Sequence, residues 1–231
     1  MSEWWTYRPS DFLMFAPRTY NRLFELYNTE IWPLQIVAIA AGFAILWLVW
    51  RGLHGRTVAA VLAAAWVFVA WAYHWERYAT INTAAPYYAV GFAAEALLLA
   101  WCGIRRDGFP FDVPPAPIRW IGLVLLAAGV GLYPLLAPLL GRPWTQAEIF
   151  GIAPDATAAA TIGALLLTKP RIASLLALPL LWCAISALTL WTMEAPDVAA
   201  PASVLVLGAA AAIWRWRQGV MIGRATAGES R

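Results

Sequence analysis

Apolar runs of about twenty residues, the length a helix needs to cross a bilayer's hydrocarbon layer, recur from Ile31 to Ile213. Within that region, short breaks between them hold nearly all the charge. A chain built this way has little choice of solvent. Soluble domains carry about 25% charged residues; this one carries 13%, against 62% hydrophobic. Its mean hydropathy is +0.64, and no heptad or G-x-y period supports a coiled coil or a fibre. Fifteen tryptophans fit the same solvent, because Trp gathers at the two membrane–water interfaces.

The expected spans are Ile31–Trp50, Thr57–Trp75, Ala85–Cys102, Trp120–Leu140, Ile149–Thr168, Ile172–Trp191 and Ala199–Ile213. The fifth is the least regular, with only thirteen residues between Asp155 and Lys169. Basic residues decide the count. With seven spans, eleven of the sixteen Lys and Arg fall on the side of the C-terminus and five on the other. With six the bias reverses. The positive-inside rule therefore predicts seven spans, N-terminus outside and C-terminus cytoplasmic. The connections are too short to separate soluble domains. The fold class expected is all-α: one polytopic helical bundle over residues 31–215, an N-terminal arm over 1–30 and a cytoplasmic tail over 216–231.

The arm does not read as a cleavable signal, because it lacks a continuous apolar core and a small-residue cleavage site. The first span is then the targeting element. In PRTYNRLFELYN, Tyr20, Leu23, Phe24 and Tyr27 recur at helical spacing. This predicts an amphipathic helix lying in the outer interface, or else a cap packed on the bundle's outer end.

Net charge +3 and pI near 9.1 follow from basic residues at inner span ends, facing anionic headgroups. No nucleic-acid surface is expected. Cys102 and Cys183 lie in different apolar runs without metal or disulfide spacing, so both read as small core residues.

Three stretches, MSEWWTYRPSDFLMFAPRTYNRLFELYN, RYATINTAAPYYAVGFAAEALLL and WTQAEIFGIAPDATAAATIGALLL, carry a resemblance. Together they resemble a family of bacterial integral membrane proteins of unknown function, some of them labelled permeases. The resemblance implies a single polytopic unit of the bacterial inner membrane. It assigns no catalytic residue.

The candidate site residues come from polarity in the wrong place. Glu95 stands mid-run in YYAVGFAAEALLLAWCG, where an acid costs about 2.5–3.5 kcal/mol on insertion scales. It should face the bundle interior, protonated or paired. It then serves either as a proton- or cation-coupling group or as a structural hydrogen-bonding partner. Tyr87 and Tyr88 are candidate polar wall residues. His74, Glu76, Arg77, Asn82 and Asp155 would form an outer vestibule, with the plainer alternative of interfacial polar residues. Asp155 also reads as an N-cap, after a Gly- and Pro-broken stretch of the kind transporters use in interrupted helices. Pro134 and Pro138 would kink the preceding span.

A metal could draw on Glu148, Asp155, Glu194 and Asp197, but no H-x-x-x-H or similar pattern is present, and none is expected. Nor is any cofactor or catalytic residue, because Walker A, G-x-S-x-G and H-E-x-x-H signatures are missing. The leading expectation is a small permease or solute-binding membrane protein. Its partners would be the lipid bilayer, a small-molecule or ion ligand, and a second copy as a homodimer. The rival is an accessory subunit of a larger membrane complex.

Overall fold

The computed structural model describes residues 15–104, 108–169 and 174–229. Its described residues form helices α1 (Pro17–Glu30), α2 (Leu34–Arg51), α3 (Gly55–Phe68), α4 (Ala85–Ile104), α5 (Ala116–Ala127), α6 (Tyr133–Leu139), α7 (Pro154–Leu166), α8 (Ala177–Thr192) and α9 (Ala199–Glu229). No strand occurs among them; one isolated bridge joins Phe111 to Thr168. The helices α3 and α5 each run on into a π-helical turn, Val69–Trp75 and Ala128–Leu132. The second has a covalent cause. Pro134 has no amide hydrogen to give to Val130, and the ladder shifts so that the Tyr133 amide reaches Ala128. In the first, the Glu76 amide reaches Trp71 at 3.0 Å.

Among the described residues, six segments are long and apolar enough to cross a membrane: Leu34–Arg51, Gly55–Thr80, Ala85–Gly103, Ala116–Leu139, Ser174–Thr192 and Pro196–Gln218. The α7 helix is not among them. Its thirteen residues rise about 20 Å, short of the ~30 Å hydrocarbon layer. The fifth expected span is thus a short helix entered through a turn at residues 149–153.

That short helix is the centre of the molecule. Every residue from Pro154 to Leu166 is buried, and α3, α5, α6, α8 and α9 all touch it. Alanine and glycine allow this. A Cβ added at Gly129 would come within 2.5 Å of the Ala160 amide nitrogen. One added at Gly163 would meet the Gly122 carbonyl oxygen at 2.6 Å, with the Leu126 amide closer still. Close backbone approach replaces side-chain interdigitation here.

Both ends of α7 are tied. At its start, Tyr27 Oη donates to the Ile152 carbonyl at 3.4 Å, and Asn28 Nδ2 to the carbonyls of Thr145 and Ala147 at 2.8 and 2.9 Å. At its finish, the Asp112 amide donates to Leu167 at 3.0 Å and the Lys169 amide to Pro110 at 2.8 Å. Arg215 of α9 also donates to the Leu166 carbonyl.

The amphipathic stripe of α1 is spent on protein. Tyr20, Leu23, Phe24 and Tyr27 are buried, and the rings of Tyr20, Phe24 and Tyr27 meet Tyr73 and Tyr78 at centroid distances of 5.3–6.1 Å. Of the two arrangements expected for this helix, an interfacial one and a cap on the bundle end, its packing is that of a cap, because Tyr73 and Tyr78 offer its apolar face an aromatic surface. Towards the other end of the chain, α9 runs unbroken through residues 215 and 216.

Tryptophans are exposed at both ends of the long helices. Trp32, Trp75, Trp144 and Trp191 lie towards the α1 end, and Trp50, Trp101, Trp120 and Trp214 towards the other.

Candidate functional site

Polar groups buried in an apolar bundle gather around the first turn of α7. The chain reaches it through a turn in which the Ala153 amide donates to Ile149 at 2.8 Å. Ala153 is the N-cap and Pro154 follows at the first helical position, where a missing amide hydrogen costs nothing. Thr157 Oγ1 accepts from the Gly151 amide at 2.8 Å and donates to the Ala153 carbonyl at 2.7 Å. The turn is thus stapled by Thr157. Asp155 is not the N-cap that the sequence suggested, because its carboxylate has turned sideways towards α8. There Trp182 Nε1 donates to Oδ1 at 2.6 Å and Ser186 Oγ to Oδ2 at 2.5 Å.

Trp182 links this carboxylate to an aromatic box. Its ring lies 4.8 Å from His74, 5.4 Å from Tyr88 and 5.2 Å from Phe92. The His74 ring in turn lies 4.4 Å from Phe92, and Trp66 lies 4.3 Å from Phe92. Trp66 Nε1 donates to Thr161 Oγ1 at 2.9 Å, joining α3 to α7. His74 is fully buried, and neither ring nitrogen has a hydrogen-bond partner.

Glu95 occupies the same buried stripe of α4 as Phe92 and Leu99, three residues before and four after. It is 0% exposed, and both carboxyl oxygens lack a hydrogen-bond partner. Buried polar atoms are nearly always paired; Glu95 and His74 each leave two such atoms unpaired, where Asn28, Gln35, Tyr73, Tyr133 and Glu148 leave one.

The sequence candidates therefore divide. His74, Tyr88 and Asp155 come together around Trp182, and Glu95 is buried on the helix that carries Tyr88. Tyr87 does not join them; it is 79% exposed. Glu76 is exposed. Arg77 turns to α1 and pairs with Glu30. Asn82 is buried, and its Oδ1 accepts from the Ala84 amide at 2.9 Å, closing the turn that starts α4. The residues missed were Trp66, Trp182, Ser186 and Thr161. One signal was available: Trp182 and Ser186 stand four apart, as do Thr157 and Thr161, each pair marking one face of a helix.

Over this core lies α1. Burial pushes the Tyr27 phenol above its ordinary range, while the nearby Arg77 pulls the other way.

The chain belongs to a family defined by its sequence and not by any known activity. Residues 18–219 match the family of unknown function DUF6064. No match was found among curated proteins or among solved structures. A family of unknown function and six helices apolar enough to cross a membrane fit a multi-pass membrane protein.

Proposed function

We propose that this chain is a small permease or solute-binding protein of the bacterial inner membrane, coupled to a proton or a monovalent cation at Glu95. In this reading the chain crosses seven times. Residues 149–168, the turn plus α7, make the fifth crossing inside a sheath of the other six. The eleven-to-five split of basic residues and the exposed tryptophans at both helix ends support an outside N-terminus and a cytoplasmic C-terminus. A short central helix entered through irregular backbone supports a binding core, because such backbone is tolerated at membrane depth only when buried in protein or lining a wet cavity.

The observation that carries the proposal is the Glu95 carboxyl, fully buried with neither oxygen bonded. An uncompensated carboxylate in such surroundings is costly. The group must hold a proton or meet a cation, and losing either is the elementary step of coupling.

A lipid-soluble carbodiimide tests this, because it reacts with protonated carboxyls. In native membranes Glu95 should be modified, as mapped by peptide mass, and sodium ions or rising pH should protect it. Glu95→Gln should fold normally and lose that adduct. If Glu95 is modified only after unfolding in dodecyl sulfate, its carboxyl does not exchange with the outside, and the coupling reading fails.

A second reading, a subunit of a larger membrane complex, draws on one surface feature. Val67, Ala70, Trp71, Trp75, Ala89, Val90 and Ala93 line an apolar groove of about 340 Å³ on the α3–α4 face. A second protein recovered at fixed stoichiometry in mild detergent would favour it.

A further inference from the structure

The polar face of α1 plays no part in the core. Arg18, Asn21, Arg22 and Glu25 recur at three- and four-residue spacing, so they share one side of the helix. It is the side opposite the buried stripe of Tyr20, Leu23, Phe24 and Tyr27. Beside it runs an open groove of about 890 Å³, lined by Arg18, Asn21, Arg22 and Leu26 of α1 and by Arg77 and Ile81 from the turns after α3. Three guanidiniums thus share one recess.

Its polar groups are mostly donors. The carboxylates nearby are occupied, Glu25 by Arg22 and Glu30 by Arg77. Among the described residues Arg18 pairs with no carboxylate. Asn21 Oδ1 accepts from Arg142 at 3.0 Å, which leaves its amide hydrogens to offer. A guanidinium carries five N–H donors and no acceptor, so Arg22 and Arg77 keep donors beyond their ion pairs. Such a recess suits an anion with several acceptor oxygens.

Depth selects among anions. Exposed tryptophans mark the membrane–water boundary, and three stand two residues from this region: Trp75 before Arg77, Trp144 before Gln146 and Trp32 after Glu30. Arg77 itself lies three residues before the end of the apolar segment Gly55–Thr80. At that level the acceptor oxygens belong to lipid phosphates, and Leu26 and Ile81 offer the glycerol and first acyl carbons an apolar edge.

We propose that this groove binds the phosphodiester headgroup of an anionic phospholipid, with Arg18, Arg22 and Arg77 as the donors. The bound phosphate bridges α1 to the segment that ends at Thr80. The site is separate from Glu95 and does not depend on the number of crossings.

Photolabelling of the whole protein in phosphatidylcholine vesicles tests this, with a phosphatidylglycerol that carries a photoreactive group beside its phosphate. Label should map to residues 18–26 and 77–81. Plain phosphatidylglycerol should compete it away, and neither added phosphatidylcholine nor inorganic phosphate should. Arg18→Gln/Arg22→Gln removes two exposed side chains and should cut that label about tenfold or more, the scale of one charge-assisted hydrogen bond. Label near Arg51 and Arg119, at the opposite end, should be unchanged and reports a folded variant. The competition arms on unmutated protein decide alone if the variant does not fold. The proposal is overturned if residues 18–26 and 77–81 are not labelled, if they are labelled equally in the folded variant, or if phosphatidylcholine competes as well as phosphatidylglycerol. It is also overturned if inorganic phosphate competes equally, because the ligand is then a soluble anion.

Discussion

Trp182 donates its indole hydrogen to Asp155 at 2.6 Å, from a helix 27 residues further along the chain. Ser186, one turn along α8, completes the pair at 2.5 Å. Through this contact a carboxylate in the first turn of α7 is fixed to α8, and the same indole packs against His74, Tyr88 and Phe92. The link helps to give a helix lined by alanines a defined register, since its polar residues bond named partners on α3, on α8 and in the turn that enters it.

Asp155→Ala should therefore act through stranded donors, not through a lost helix cap. It leaves the Trp182 N–H and the Ser186 hydroxyl buried without a partner, each worth about 1–3 kcal/mol. Asp155→Asn should be milder but measurable, because its amide nitrogen presents a donor where the carboxylate offered a second acceptor. Trp182→Phe on its own should cost less than Asp155→Ala. Unfolding in mixed micelles would order the three; a silent Asn variant would contradict the geometry.

The close approach of α5 and α7 gives a second expectation. Gly163→Ala places a methyl 2.6 Å from the Gly122 carbonyl oxygen, and backbone cannot rotate aside as a side chain can. Overpacking of this kind costs about 1–3 kcal/mol. Gly91→Ala in α4 meets nothing within 4 Å and should be neutral or slightly stabilising, since Ala is favoured over Gly inside helices. Thermal midpoints in detergent should separate the two variants; equal values would mean that α5 and α7 are not in contact.

What the sequence made legible was composition and interruption. Glu95 was visible as a charge inside an apolar run, and its burial follows from the cost of placing it in lipid. The break before α7 was visible in Gly151 and Pro154, and so was the period of α1. Periodicity shows that a helix has an apolar face without showing what covers it, so a membrane interface and the Tyr73–Tyr78 surface were equally good partners for Tyr20 and Phe24. Asp155 failed for a related reason. An acid beside a proline at a helix start is a local cap signal, while its real partners, Trp182 and Ser186, are tertiary. No local pattern carries that information.

Arg215 joins three elements at the opposite end. It is 7% exposed, donates to the last turn of α7 at Leu166, and has its other nitrogen 3.5 Å from Asp112. Arg215→Ala removes the donor from a buried carbonyl and should cost about 1–3 kcal/mol. Asp112→Ala should cost about 0–1 kcal/mol, because the Asp112 side chain is 47% exposed and exposed ion pairs contribute little. If unfolding in detergent gave the reverse order, Arg215 would be acting through its charge and not through the Leu166 carbonyl.

The crossing count makes the last prediction. Residues 149–168 start where Tyr27 and Asn28 of α1 hold them and end where Pro110, Asp112 and Arg215 do. The chain thus changes ends of the bundle between Ala147 and Lys169, although α7 alone is too short to span. On the seven-crossing reading proposed above, the C-terminus lies opposite α1. A reporter active only outside the cytoplasm should work when inserted after Glu194, in the turn at the α1 end. It should be silent when fused after Arg231. Inserted at Leu53, between α2 and α3, it should again be silent, since α2 carries the chain away from α1. A signal after Arg231 together with silence both after Glu194 and at Leu53 would mean that residues 149–168 do not cross. The bias of eleven basic residues against five would then be an accident of counting, and the seven-crossing topology would have to be abandoned.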